Sequence, residues 1–374
     1  MAGGTTYFTV FAGRRRYLSI LLSYVQPLVE QRTVDHVHLW NYARLAPDRE
    51  FLGKLQGRHR GIEVIEPPES DRHAKFPNKW KGYYAFYAAR LATDDVLIKC
   101  DDDVVFLANV HVLLRTVRQD EGAHLLYFPS IVNNDVAAVF QAADGLITDP
   151  EYVVRMRASY NESRYSRSPL SDWYNCTACA AHVHAAFLAR PAAFFTGCLH
   201  EWSTPARVPI NFFAMRGDAA AAHFGAYMRE SYVDEPYLTA LLTERTRLPS
   251  VIVTDAVAVH FSFGFQHLPD ERATLEAYAR LADDAKLHTE LRERFGARTP
   301  SRECPSAAPA ALMLDRRQPP HPTQAQLAAA RAGRARGRGR GRAAAGSTSG
   351  RGASGISAAS RGSGGAPRKE QRAR

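Results

Sequence analysis

The sequence predicts a layered α/β domain built on a mainly parallel sheet. Short apolar segments typical of buried strands alternate with longer segments of helical period between residues 6 and 128. Three consecutive aspartates directly follow one of these strands. The composition changes near residue 300, where Pro, Ala, Gly, Arg and Ser begin to dominate. A folded body followed by a different kind of tail is therefore expected.

The predicted strands are apolar runs rich in β-branched and aromatic residues. They lie at 6–11, 36–40, 61–65, 96–99, 125–128 and 251–260. The predicted helices repeat apolar residues on one face. They lie at 17–30, 79–91, 108–118, 235–243 and 274–295. Pro27 is expected to kink or end the first helix, because proline removes a backbone donor. Residues 130–230 are less regular.

The charge is unevenly distributed along the 374 residues, which carry a net charge of +10. Residues 301–374 contain 15 basic and 3 acidic residues, which leaves 33 basic and 35 acidic residues in 1–300. The nearly neutral body argues against a nucleic-acid-binding function for the whole protein. Residues 301–374 are predicted to be a disordered Arg/Gly/Ala-rich tail, suited to weak contact with nucleic acid or an acidic surface.

The cysteines and the N-terminus predict a compartment. Five cysteines are too few and too scattered for a disulfide framework, and Cys176 and Cys179 are expected to be buried thiols. No signal-peptide pattern is seen at the N-terminus, and no run of 18 apolar residues predicts a membrane span. The sequence therefore predicts a cytoplasmic protein.

Asp101, Asp102 and Asp103 stand where a predicted strand meets a loop. Ligands of such sheets bind at the carboxyl ends of strands. Adjacent carboxylates repel one another unless solvent or a cation neutralises them. Oxygen ligands suit Mg²⁺ or Mn²⁺, ions that commonly bridge a diphosphate. A solvated turn or a helix N-cap is the alternative interpretation.

Residues 79–106, KWKGYYAFYAARLATDDVLIKCDDDVVF, resemble the donor-site segment of metal-dependent glycosyltransferases of the GT-A fold. The stretch from Lys99 to Phe106 is most similar to the β-1,3-galactosyl- and N-acetylglucosaminyltransferase family. The resemblance implies a Rossmann-like mixed sheet flanked by helices, forming a single catalytic domain. Its donor-binding half would be 1–130, and its acceptor-binding and catalytic half 131–300.

The resemblance also implies roles for residues of the first half. Asp103 would bind Mn²⁺, or Mg²⁺, directly, and Asp101 would reach the metal through water or bind the sugar or ribose. Asp101, Asp102, Lys81 and Arg14 would contact the nucleotide-sugar donor. For Arg14, a solvated surface position is the alternative.

In the second half, Asp234 and Glu235 precede an apolar helix. A simple helix N-cap would explain them as well. The family has an acidic pair here, in the order Glu then Asp, and its second member is the general base. The resemblance therefore implies Glu235 as base with Asp234 as the fallback. His260 ends the last strand and would complete the metal site, unless it is a hydrogen-bonded strand-end histidine.

These features predict a glycosyltransferase that moves a sugar from a nucleotide-sugar, with a UDP-sugar as the first candidate, to an acceptor hydroxyl. The family resemblance implies that the transfer inverts the anomeric centre. The acceptor would be a glycan, a protein or a small molecule, and the aromatic residues Trp173, Tyr174 and Trp202 are candidates to stack on it. A sugar-phosphate nucleotidyltransferase is one alternative, although Gly13–Arg16 is only a fragment of its glycine-rich basic loop. A non-catalytic binding protein that uses its Arg/Gly tail for nucleic acid is the other.

Overall fold

The structure is a computed structural model, and all structural statements below concern the residues that it describes. These are residues 3–74, 78–156, 171–202, 206–230, 232–297 and 300–301. They belong to one compact unit, Met1–Asp315. The predicted tail, 301–374, lies outside the described residues except for Ser301.

Nine strands form one sheet. In chain order they are β1 Thr6–Ala12, β2 His36–Asn41, β3 Ile62–Ile65, β4 Val96–Asp101, β5 Val104–Ala108, β6 Tyr127–Val132, β7 Leu199–Trp202, β8 Phe212–Arg216 and β9 Ser250–His260. Most of their side chains are buried apolar residues, as expected for a sheet covered on both faces.

Helices flank this sheet. They are α1 Arg15–Glu30, α2 Ala46–Leu55, α3 Glu69–His73, α4 Lys81–Ala88, α5 Val110–Gln119, α6 Asp135–Ala143, α7 Ser171–Asn175, α8 Thr177–Ala189, α9 Gly217–Tyr227, α11 Glu271–Ala282 and α12 Ala285–Phe295. Helix α10 precedes α11 and has three parts, Asp234–Pro236, the π-helical Tyr237–Leu241 and Leu242–Thr246. Within the described part of the chain, no helix is long and apolar enough to cross a membrane.

The sheet is mixed rather than mainly parallel. Its strand order is β3-β2-β1-β4-β8-β6-β9-β5, and β7 also pairs with β9. The pairs β1–β2, β1–β4, β2–β3 and β6–β9 are parallel. The pairs β4–β8, β6–β8, β5–β9 and β7–β9 are antiparallel. The predicted α/β fold with a mixed sheet flanked by helices is confirmed, and the parallel interpretation holds only for β1 to β4 and for the pair β6–β9.

Strand β9 has an irregular register that brings the ends of two strands together. Opposite Pro129–Ser130, its pairing jumps from Val253 to Val257, so its first part pairs with β7 and its last part with β5. Val104 is paired with His260, and the Phe261 amide donates to the Asp103 carbonyl at 2.8 Å. The end of β9 therefore lies beside the aspartate triplet.

Three helices differ in detail from their predictions. Helix α1 does not end at Pro27 but continues to Glu30, because Pro27 stands in the last turn and its carbonyl still accepts the Gln31 amide. The prediction of a single helix at 274–295 was wrong, because this segment is two helices, and Asp284 caps the second by accepting from the Leu287 amide at 2.9 Å. The predicted helix 235–243 is confirmed within α10, and its middle part is π-helical.

The expectation of two free thiols was also wrong, because Cys176 and Cys179 form a disulfide. Cys176 is the N-cap of α8, and its Sγ accepts from the Cys179 amide at 3.1 Å. Residues at a helix N-cap and three positions later face each other across the first turn. The first turn of α8 therefore places the sulfurs of Cys176 and Cys179 close enough to form the disulfide.

Candidate active site

Asp102 anchors the loop between β1 and α1. Its Oδ2 accepts hydrogen bonds from the backbone amides of Gly13 and Arg14, both at 2.6 Å. Its Oδ1 accepts from Arg14 Nε at 2.9 Å and Nη2 at 2.5 Å. Burial raises the pKa of Asp102 to about 6, against the opposing effect of the Arg14 guanidinium. Both oxygens are occupied by the protein, so Asp102 holds the loop and the Arg14 side chain in place.

Asp103 and His260 face each other at the ends of β4 and β9. His260 Nε2 lies 3.3 Å from Asp103 Oδ2, and Arg14 Nη2 lies 2.9 Å from the same oxygen. Both Asp103 and His260 are almost fully buried, and Asp103 Oδ1 has no hydrogen-bond partner among the described residues. Burial alone would raise the pKa of Asp103, but a protonated His260 and the Arg14 guanidinium together outweigh burial and hold it below its usual range.

The His260 ring is oriented for cation binding. Its Nδ1 lies 3.3 Å from the Asn133 carbonyl oxygen, which can only accept a hydrogen bond. In the neutral ring Nδ1 therefore carries the proton, and Nε2 turns a lone pair toward Asp103. Two facing lone pairs need a proton or a cation between them. The unpartnered Asp103 Oδ1 and this Nε2 are of the donor types that Mn²⁺ or Mg²⁺ accept, so the residues present fit such an ion.

Asp101 engages different partners from its two neighbours. Its Oδ1 is bonded to the ammonium of Lys99, and its Oδ2 accepts from Asn211 Nδ2 at 3.4 Å. Lys99 is only 2% exposed, and it also donates to the Ile210 carbonyl at 2.6 Å. The structure thus brings Asp103 and His260 together and places the Asp101 carboxylate with Lys99 instead.

An open cavity of about 520 Å³ lies against Asp101 and Asp102. One wall is aromatic and consists of Phe11, Tyr42 and Trp80, with the Trp80 ring edge-on to Tyr42 at 4.4 Å. The other lining residues are mostly polar or charged. They are Gly13, Arg14, Arg44, Leu45, Asp48, Asp101 and Asp102. Planar rings beside guanidinium groups suit a ligand that combines an aromatic base with phosphates.

Asp234 begins α10 and is 6% exposed. Its Oδ2 accepts from Tyr84 Oη and its Oδ1 from the Glu235 amide, both at 2.9 Å. Burial raises the pKa of Asp234, and the nearby charge of Lys99 opposes this effect. Both carboxylate oxygens are therefore engaged within the protein.

Glu235 has a more accessible carboxylate, although its side chain is only 13% exposed. Its Oε1 accepts from Arg207 Nε, and its Oε2 accepts from the Ile210 amide at 3.3 Å. Burial raises the pKa of Glu235, and the Arg207 guanidinium opposes this effect. Ile210 also accepts from Lys99, so one peptide segment connects the Asp101–Lys99 pair with Glu235.

Lys81 lies apart from the residues that line the cavity. Its Nζ donates to the carbonyl oxygens of Met228 at 3.2 Å and Glu230 at 2.9 Å, just beyond α9. Of the candidate acceptor aromatics, Trp173 and Trp202 are buried at 1% and 4% exposure. Tyr174 packs on Phe263 at a ring distance of 4.0 Å, and Phe263 in turn contacts His260.

Sequence reasoning missed several residues of this site. Arg207, Asn211 and Tyr84 each contact one of the predicted carboxylates. Arg207 and Asn211 come from segments without a recognisable motif, and Tyr84 lies within residues 79–106 but was given no role there. Lys99 offered one signal, because a lysine inside the apolar strand LIKC needs a buried partner.

Comparisons with known proteins give limited information. No family model and no curated protein matches the chain. One similar solved structure is the apo form of the WbbM bifunctional glycosyltransferase, with 9% identity and a TM-score of 0.36 over 79% of this chain. The match spans about half, 52%, of the WbbM chain. Another is the galactosyltransferase LgtC with donor and acceptor sugar analogues, with 10% identity and a TM-score of 0.32 over 75% of this chain and 95% of that one. At these TM-scores neither likeness bears on the activity.

Proposed function

We propose that the protein is a metal-dependent glycosyltransferase, which transfers a sugar from a nucleotide-sugar donor to an acceptor hydroxyl with inversion. The proposal rests on one observation: the buried Asp103–His260 pair, the aromatic and basic cavity, and the Asp234–Glu235 pair meet around the end of β4. A diphosphate donor needs a cation site, a base pocket and a nearby general base, and this arrangement offers all three.

The donor occupies the cavity of about 520 Å³ in this proposal. Its base stacks against the wall formed by Phe11 and Trp80, and the ribose or sugar contacts Asp101. Arg14 and Arg44 line the same cavity and neutralise part of the diphosphate charge. A uridine nucleotide is the donor to test first, since the resemblance of residues 79–106 points to UDP-sugars.

Asp103 and His260 hold the divalent ion in this proposal. Support comes from the unpartnered Asp103 Oδ1 and from the Nε2 lone pair that faces the same carboxylate. When bound, Mn²⁺ or Mg²⁺ supplies positive charge to the departing diphosphate. The Arg14 guanidinium already lies against the carboxylates of Asp102 and Asp103, so these carboxylates are placed where they interact with positive charge.

Glu235 is the general base in this proposal. The oxygens of both Asp234 and Glu235 accept hydrogen bonds within the protein, but Glu235 is the more accessible carboxylate. The acceptor oxygen forms a bond to the anomeric carbon as its proton passes to Glu235, and the bond to the diphosphate breaks. Burial makes this carboxylate a stronger base, and the Arg207 guanidinium opposes the effect of burial on its pKa.

Nucleotide release from sugar donors tests the proposal. The purified full chain is incubated with UDP-, GDP- and CMP-sugars, with and without Mn²⁺. We expect metal-dependent release of the nucleoside diphosphate (nucleoside monophosphate from a CMP-sugar) from one donor. Release should fall at least 100-fold in Asp103→Asn and stay unchanged in Asp94→Asn, a control at an exposed aspartate.

Two outcomes would contradict the proposal. The first is equal nucleotide release by the Asp103→Asn variant and the unsubstituted protein. The second is the absence of any release, together with no change in melting temperature when nucleotide and Mn²⁺ are added. Formation of pyrophosphate from a nucleoside triphosphate and a sugar phosphate would instead identify a nucleotidyltransferase.

A further inference from the structure

A second group of potential metal ligands lies toward the end of the parallel strands opposite to the aspartate triplet. His36 and His38 are on β2, and Glu63 on the edge strand β3 is paired with His38. One ligand atom from each of the three lies within 4.8 Å of the others, and His36 Nδ1 is 3.8 Å from Glu63 Oε1. Within the described part of the chain, this is the one cluster of three such residues.

The cluster is separate from the candidate active site. His36 is paired with Tyr7 of β1, whereas Asp101 is paired with Phe11 of the same strand. Four residues of extended chain separate these positions, a distance of about 13 Å at ~3.3 Å per residue. The cluster and the aspartate triplet thus lie toward opposite ends of the parallel strands.

His38 is held in a fixed orientation. It is 6% exposed, and its Nδ1 lies 2.6 Å from Tyr87 Oη, an oxygen that accepts from Trp40 Nε1 at 3.2 Å. No described residue makes a hydrogen bond to the other ring nitrogen, Nε2. A metal-bound histidine commonly has its second nitrogen fixed in this way.

The other two side chains leave the site open to solvent. The side chain of His36 is 42% exposed and that of Glu63 is 57% exposed. The His36 ring stacks on Tyr7 at a centroid distance of 5.3 Å and an interplanar angle of 17°, which restricts its movement. An ion can therefore enter from solvent and keep a position for water beside three protein ligands.

We propose that His36, His38 and Glu63 form a binding site for Zn²⁺ that fastens the short edge strand β3 to β2. Two imidazoles and one carboxylate are a ligand set that zinc accepts, whereas Mg²⁺ and Ca²⁺ prefer oxygen ligands. Bonds of about 2.0–2.2 Å place tetrahedral ligand atoms about 3.3 Å apart. The 3.8 Å between His36 and Glu63 is close to that value, so small side-chain rotations suffice.

Cobalt and zinc titration of the full chain tests this site. Co²⁺ bound by two histidines and a carboxylate gives a visible absorption band, which Zn²⁺ then displaces. We expect one such band per chain in the unsubstituted protein and in Asp103→Asn, which lacks the proposed catalytic metal ligand. The affinity should fall at least tenfold in His36→Ala and in Glu63→Gln, whose exposed side chains can be replaced without opening the core. His267→Ala, at another exposed histidine, is the matched control and should bind as before.

Zinc should also raise the melting temperature of the unsubstituted protein and of His267→Ala, and not that of His36→Ala. The site is refuted if the unsubstituted protein gives no cobalt band. It is equally refuted if His36→Ala and Glu63→Gln bind as tightly as the unsubstituted protein, or if Asp103→Asn loses the band.

Discussion

Three consecutive aspartates occupy three different environments, so they are expected to respond differently to substitution. Asp102 accepts four hydrogen bonds from the β1–α1 loop. Asp103 faces His260 and has an unpartnered oxygen, and Asp101 is paired with Lys99. Under the proposed function, stability and catalysis are divided between neighbouring residues of one motif.

Asp102→Asn should destabilise the protein by about 2 kcal/mol. An asparagine retains one acceptor oxygen, so its amide group must face donors that the second carboxylate oxygen now satisfies. The expected loss of stability is moderate because the Arg14 side chain is 46% exposed and can be solvated by water instead. Urea unfolding measures the change, with Asp94→Asn as control. Equal midpoints for both variants would show that the loop does not depend on Asp102.

Arg207→Met should shift the acidic limb of the pH–rate profile to higher pH. Glu235 must be ionised to act as a base, and Arg207 lowers its pKa against the effect of burial. Without the guanidinium, burial raises the pKa further and the ionised form appears only at higher pH. Initial rates from about pH 5 to 9 measure the shift. Arg272→Met is the control, because the Arg272 side chain is 94% exposed. An unmoved limb would remove Glu235 from the role of base.

At the level of elements, the start of α9 packs against the segment that leads into β4. A Cβ added at Gly217 would lie 2.0 Å from the Ala92 carbonyl oxygen, and the Gly217 amide donates to the Asp95 carbonyl at 2.7 Å. Gly225, in the same helix, has open space at the equivalent position. The two glycines therefore form a matched pair, since only one of them meets backbone.

Gly217→Ala should destabilise the protein by about 3 kcal/mol, because backbone cannot move aside as a flexible side chain does. Gly225→Ala should instead stabilise it by roughly 0.5–1 kcal/mol, since alanine favours the helix. Thermal and urea unfolding compare the two variants with the unsubstituted protein. Comparable destabilisation by both would mean that helix α9 is not packed as closely as the structure indicates.

Local sequence patterns predicted the strands and helices that have a distinct run or period of apolar residues. The strands near β1, β2, β4 and β9 are long apolar runs, and the structure has them within a few residues of the prediction. Strand β8, FFAMR, is too short to be distinguished from a buried loop, and it becomes a strand by pairing with β4 more than 100 residues earlier. The break at Asp283 and Asp284 was missed because the apolar period continues across it.

The same limit applies to the candidate site. The sequence predicted that Asp101–Asp103, Asp234–Glu235 and His260 matter, because each follows a strand or precedes a helix. Spacing alone could not predict which aspartate faces His260, since that depends on the register between β5 and β9, although the family resemblance implied Asp103. The His36, His38 and Glu63 cluster also escaped detection, because it forms only when β3 pairs with β2.

For the whole molecule, one sheet joins the two predicted halves, 1–130 and 131–300. Strand β4 of the first half pairs with β8 of the second, and β5 pairs with β9. Without the second half, β4 would have an unpaired edge and β5 would lose the partner that it has in the described structure. Buried backbone donors and acceptors would then lack partners, at a cost comparable to that of each lost hydrogen bond.

The fragment 1–130 should therefore fail to unfold cooperatively, whereas fragment 1–301 should unfold in a single transition. Circular dichroism and intrinsic tryptophan fluorescence, followed through urea, should coincide for 1–301 and show only a gradual change for 1–130. Independent cooperative unfolding of 1–130 would contradict this and would make the donor half a domain of its own. In that case Asp103 could be positioned without β9, and the pairing of Asp103 with His260 would no longer require a shared core. A single transition of fragment 1–301, without cooperative unfolding of 1–130, would instead mean that the proposed metal ligands are held in place by the stability of the whole sheet.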